Sequence, residues 1–75
     1  MERYKNLGGD SNVSGYEIGE DFIKVQFGDG SVYLYTDESA GHNNIEQMKA
    51  LATAGEGLNS FIMRNVRKAY ASKLR

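Results

Sequence analysis

The sequence predicts an α+β domain in which a three-stranded antiparallel meander is followed by two helices packed on one of its faces, in the order β-β-β-α-α. Three observations predict it. Between Asn12 and Thr36 apolar and polar residues alternate in short runs separated by glycine-containing reversals, which is the period of strand side chains. From Ile45 onward apolar residues recur at three and four positions, the period of one helix face. The chain of 75 residues fits a single domain, near the size at which a core still buries enough apolar surface to offset chain entropy.

Residues 1–10 end in Gly8-Gly9-Asp10 and carry no period, so they read as a flexible lead-in to a single domain over 11–75, with Tyr4 and Leu7 as apolar residues able to dock. The first strand places Ser14, Tyr16 and Ile18 on one side and Val13, Gly15 and Glu17 on the other, and Gly19-Glu20-Asp21 reverses the chain. The second strand, Phe22 to Phe27, sets Ile23, Val25 and Phe27 against Phe22, Lys24 and Gln26, the signature of a half-buried strand. Gly28-Asp29-Gly30 turns the chain again into Ser31 to Thr36, where Tyr33 and Tyr35 share a face.

A polar connection, Asp37 to Gly41, leads to the first helix, whose face is Ile45, Met48, Leu51 and Ala52. Asn43 with Glu46, or Asn44 with Gln47, suits its start, and Gly55 suits the left-handed residue past its end. The second helix begins at Leu58 or Asn59 and runs into the early seventies, because Leu58, Phe61, Ile62, Val66, Ala69 and Tyr70 keep helical spacing. The expected core joins Ile23, Val25, Phe27, Tyr33 and Tyr35 to Met48, Leu51, Leu58, Phe61, Ile62, Val66 and Tyr70.

The absence of cysteine removes disulfides, thiolate metal sites, iron-sulfur ligation and a cysteine nucleophile together. The apolar runs are too short to span a bilayer and the start lacks a secretory signal, so a soluble cytoplasmic protein with no membrane partner is expected. The formal charge of −1 conceals a segregation: residues 1–57 hold ten acids and four bases, whereas residues 58–75 hold five bases and no acid. Such a basic end attracts phosphate, although basic residues also suit the C-terminal end of any helix.

Ser11-Asn12 with Gly15-Tyr16, the alternation of the second strand, Tyr33-Leu34-Tyr35, and Gly57-Leu58-Asn59-Ser60-Phe61-Ile62 through Tyr70 together resemble the KTSC domain family. That family is named for the extra C-terminal domain of some lysyl-tRNA synthetases and also occurs as short stand-alone bacterial and phage proteins. The resemblance covers about residues 11–73, with Tyr16, Tyr33, Tyr35, Asn59, Phe61, Ile62 and Tyr70 as its motif residues. Some members place a polar or basic residue directly after the isoleucine, where this chain has Met63 and puts Arg64 one position later. The family's role is unestablished and its synthetase context suggests RNA binding; the residues themselves point to a small non-enzymatic binding domain.

No catalytic residues, metal or cofactor are expected. The glycines match neither a dinucleotide fingerprint nor a lysine-bearing phosphate loop. His42 is the only histidine, and its neighbours Asp37, Glu38 and Glu46 match no defined metal loop. For RNA or another nucleic acid, Arg64, Arg67, Lys68, Lys73 and Arg75 are the expected phosphate contacts, extended by Lys24. Asn59 suits either a helix cap or a hydrogen bond to a base or backbone, and Tyr33 and Tyr35 suit either core packing or base stacking. The alternative is a protein-interaction module, a homodimer or an adaptor, using Phe22, Val32 and Leu34 on the outer sheet face unless Tyr4 and Leu7 cover it.

Overall fold

The structure is a computed structural model that describes residues 1–9 and 11–75; Asp10, the end of the expected lead-in, lies outside the described residues. It is an α+β fold with an antiparallel sheet, as the periodicities require. The elements are β1 (Glu2–Arg3), β2 (Val13–Ile18), β3 (Phe22–Phe27), β4 (Val32–Thr36), α1 (Asp37–Ala40), α2 (His42–Ala54), α3 (Leu58–Phe61), a π-helical turn (Ile62–Val66) and β5 (Ser72–Lys73). The sheet order is β1-β2-β3-β4-β5, so the expected three-stranded meander forms its centre and two short strands from the chain ends add its edges.

The central register follows the alternation. Ile23 pairs with Tyr35 and Val25 with Tyr33, and Ile23, Val25, Phe27 and Tyr35 enter one core with Ile45, Met48, Ala52, Leu58, Ile62 and Val66. The first strand corrects one expectation. A bulge between Val13 and Gly15 breaks the simple alternation, so Val13 opposite Phe27 and Tyr16 opposite Val25 both belong to the core side. Gly15 lies opposite Gln26 on the outer side, where a Cβ would stand 3.1 Å from the Glu2 carbonyl oxygen.

The lead-in, expected to be flexible, is a second correction. Arg3 pairs with Gly15, the Tyr4 amide donates to the Ser14 carbonyl over 3.1 Å, and the Tyr4 ring is buried in the core. Its hydroxyl accepts from the Leu58 amide at 3.3 Å, tying the start of the chain to the start of α3. Leu7 stays exposed, but its amide donates to the Gly55 carbonyl over 2.7 Å. Tyr4 therefore packs inside the sheet and neither residue covers the outer face.

The polar connection after β4 is not irregular throughout but contains a one-turn helix, α1. Thr36 and Ser39 cap each other's backbone amides, each bond 3.0 Å long. That cap and Gly41, at φ +93°, start α2 at His42, so the expected Asn43 and Asn44 caps do not form; the Asn44 amide instead donates to the Ala40 carbonyl over 2.8 Å. Gly55 ends α2 at φ +84°, as expected.

The second helix ends earlier than its apolar spacing implies. After α3 the backbone widens into the π-helical turn, Asn65 Nδ2 donates to the Phe61 carbonyl at 3.1 Å, and the Ala69 amide donates to the Val66 carbonyl at 2.9 Å. Residues 71–75 then return as a strand, with the Ala71 amide on the Leu34 carbonyl and the Leu74 amide on the Val32 carbonyl, both 2.7 Å. Sheet pairing thus wins over helix continuation, because β4 would otherwise leave its outer row of amides and carbonyls open. No helix among the described residues is long and apolar enough to cross a membrane.

Candidate nucleic-acid interface

Ending the helix at Val66 moves Tyr70 out of the core. It is 40% exposed and meets Tyr33 edge-to-face with centroids 4.8 Å apart, and Tyr35 at 6.3 Å. Phe27 extends the cluster, its ring 5.6 Å from that of Tyr33 and nearly perpendicular to it. Such T-shaped contacts place the positive ring edge against the negative ring face. Tyr35 lies at the bottom, and burial first, then Tyr33 and Tyr70, pushes its phenol up to about 12. It is a neutral hydroxyl at physiological pH.

These rings line a cleft of about 350 Å³ between the end of the sheet and the π-helical turn. The turn contributes Met63 and leads directly to Arg67 and Lys68, which also line the cleft, while Asn12, Asp29 and Ser31 line it too. Lys73 reaches the same rings from β5, where its register opposite Tyr33 sets its ammonium 5.8 Å from the Tyr33 centroid. Beside this cleft, Lys73 and Arg75 flank Asp29, Gly30 and Ser31 in a second, shallow depression.

The expected phosphate contacts therefore separate. Arg67 and Lys68 line the tyrosine cleft, Lys73 stands over Tyr33, and Arg75 lies beside them in the shallow depression. Arg64 is exposed but lines neither hollow. Lys24 does not extend the patch: its strand position, opposite Leu34 and Glu17, puts it on the outer face, where its ammonium lies 3.5 Å from Glu17 and 5.7 Å from the Phe22 ring centroid. Among the described residues, Arg64, Arg67, Lys68, Lys73 and Arg75 form no ion pair, so their charge faces solvent.

Asn59 is not the helix cap that its position suggested, because Gly57, which has no side chain, occupies that place. It lines a separate polar hollow with Tyr4, Asn6 and Ser11, and its buried Oδ1 has no hydrogen-bond partner. Tyr16 and Phe61 pack at the edge of the core, and Ile62 is fully within it. On the outer face Val32 is buried and Phe22 and Leu34 are half-buried, so the apolar surface is smaller than three side chains facing water.

At the other end of the sheet, His42 Nδ1 lies 3.0 Å from Asp37 Oδ2, and Lys49 bridges Glu46 and the Glu20 carbonyl. Among the described residues no group of three or more histidine, cysteine or acidic side chains is arranged to hold a metal ion. The sequence pattern missed Asp29 and Ser31 as site residues. They read only as a turn, and the signal that finds them is spatial, the fold of the β3–β4 reversal toward the tyrosines. Comparison with family models, curated proteins and solved structures returned no match, so the site rests on its own geometry.

Proposed function

We propose that this domain binds single-stranded nucleic acid, RNA before DNA, in the tyrosine cleft, as a non-enzymatic binding unit. One observation carries the reading: Arg67, Lys68 and Lys73, none of them in an ion pair among the described residues, surround a partly open aromatic floor of Tyr33 and Tyr70. Cations beside an aromatic platform are what an unpaired strand needs, with phosphates neutralised along the rim and a base stacked between. An intact duplex hides its base faces and uses only the charges. The preference for RNA draws on the resemblance to the KTSC domain family. The outer-face alternative loses support because Lys24 folds over Phe22 and Val32 is buried.

Fluorescence anisotropy of labelled single-stranded RNA, single-stranded DNA and duplex DNA tests this at 50 and 200 mM salt. Three phosphate contacts on a single strand give a log–log salt slope of about −2, or about twentyfold weaker binding across that range. Replacing Arg67, Lys68 and Lys73 by alanine is expected to abolish the salt dependence, and Lys24→Ala to leave binding unchanged. Affinity that ignores salt, or that falls equally in Lys24→Ala, overturns the reading.

A further inference from the structure

The cleft is chemically lopsided. Arg67 and Lys68 line it after the π-helical turn and Lys73 stands over Tyr33 from β5, whereas the β3–β4 reversal contributes an exposed carboxylate, Asp29, which Lys73 attracts. One oxygen of that carboxylate serves the turn, and the negative charge it brings to the wall repels a phosphate. Asp29 is also held in place. Its Oδ1 accepts both the Ser31 amide, at 3.0 Å, and the Ser31 hydroxyl, at 2.7 Å, which fills that oxygen and leaves Oδ2 open as an acceptor. The two hydrogen bonds from Ser31 also hold the carboxyl below its usual range, so it is ionised at neutral pH.

From this arrangement, and resting on the nucleic-acid reading above, we infer that Asp29 selects the base: a base stacked on the exposed ring of Tyr70 presents an edge to Asp29 Oδ2, and bases bearing an exocyclic amine are preferred over uracil. Cytosine and uracil make the comparison clean because they share size and ring. Cytosine offers an N4 amine, a donor to the carboxylate, where uracil offers the O4 carbonyl, which meets it lone pair to lone pair. Uracil's one ring N–H lies between two carbonyl oxygens and is shielded by their repulsion. Phosphate cannot take the amine's place, since it has no donor to give and is repelled by Asp29. Division of labour follows, with Arg67, Lys68 and Lys73 setting affinity and Asp29 setting identity.

The test uses the full chain with labelled oligocytidylate and oligouridylate of equal length at low salt. Wild-type protein is expected to bind the cytidylate about fivefold more tightly, a modest factor because the hydrogen bond is solvent-exposed. Asp29→Asn keeps an oxygen for Ser31 and so preserves the turn, which circular dichroism checks, but turns an amide NH₂ toward the base. That variant is expected to bring the ratio to one or invert it, while removal of a negative charge raises both affinities together. Equal affinity of the wild type for the two oligonucleotides, or an unchanged ratio in Asp29→Asn, overturns the inference and leaves the nucleic-acid reading standing. Absence of binding to either oligonucleotide overturns both.

Discussion

Tyr4→Phe isolates one hydroxyl whose loss is calculable. The ring keeps its place in the core, but the Leu58 amide, at the start of α3, loses the oxygen it reaches over 3.3 Å. Leu58 is completely buried. The amide belongs to the set at a helix start that has no carbonyl partner within the helix, and the N-cap residue, Gly57, has no side chain to replace the Tyr4 hydroxyl. Leaving a buried donor unsatisfied costs about 1–3 kcal/mol, and the length of this bond places the expected loss near the bottom, about 1 kcal/mol. For a domain of this size that lowers the melting temperature by about 4–8 °C. Tyr4→Ala removes the ring as well, for a total of about 3–5 kcal/mol, a large share of the 5–15 kcal/mol that holds a typical domain folded. Urea unfolding followed by circular dichroism measures both, and hydrogen exchange at the Leu58 amide reports the bond itself. A wild-type midpoint for Tyr4→Phe refutes the role given to the hydroxyl. If Tyr4→Ala is also neutral, the lead-in is a loose arm and β1 contributes nothing to the fold.

Three further outcomes are expected. The phenol of Tyr35 is raised to about 12 by burial and by its tyrosine neighbours, so the folded state holds its proton more tightly than the unfolded chain; its contribution is complete below pH ~10 and is lost as pH rises through 12, with a slope of at most about 1.4 kcal/mol per pH unit. Urea midpoints between pH 9 and 12 read this directly, and Tyr35→Phe is expected to flatten the curve. Gly55→Ala places a Cβ 2.6 Å from the Cβ of Lys5 at φ +84°, and a loss of about 1–2 kcal/mol or more is expected by thermal denaturation; wild-type stability shows that the lead-in shifts without cost. Removing residues 71–75 strips Lys73 and the bonds to Val32 and Leu34, and sedimentation is expected to show concentration-dependent association through the bared edge of β4, whereas a clean monomer shows that this edge pairs with nothing.

The parts of the fold that were legible are those where a side-chain period coincides with burial. Ile23, Val25 and Phe27 alternate because one face of β3 meets the core, and Ile45, Met48 and Ala52 recur because one face of α2 does. The edge strands carry no such signal: Glu2–Arg3 and Ser72–Lys73 are exposed pairs whose pairing is a matter of backbone hydrogen bonds. The bulge that turns Val13 inward is likewise invisible to a strict two-residue period. Ala69 and Tyr70 continued the helical spacing of Val66, yet spacing cannot reveal that β4 offers their segment a better set of hydrogen bonds. Hence Arg67 and Lys68 were legible as basic residues near the chain's end, while the cleft they rim, which needs that departure from the helix, was not. Asp29 was legible as a turn residue because it sits between Gly28 and Gly30, but its place near Tyr70 depends on folding across about forty residues.

The sheet order also has a kinetic consequence. β2, β3 and β4 are joined by short reversals and zip together at little loop-closure cost, whereas β5 must wait until three helices and the π-helical turn have been laid down before it finds β4. The last closure in folding is then the first opening in the native state, detectable as early exchange at Ala71 and Leu74 while the amides of β3 remain protected. Because Lys73 reaches Tyr33 only when that strand is docked, its charge joins or leaves the rim of the cleft with the terminal strand rather than with the core. A bound ligand held by Lys73 would slow that opening, so exchange at two backbone amides reports occupancy without any probe in the cleft itself.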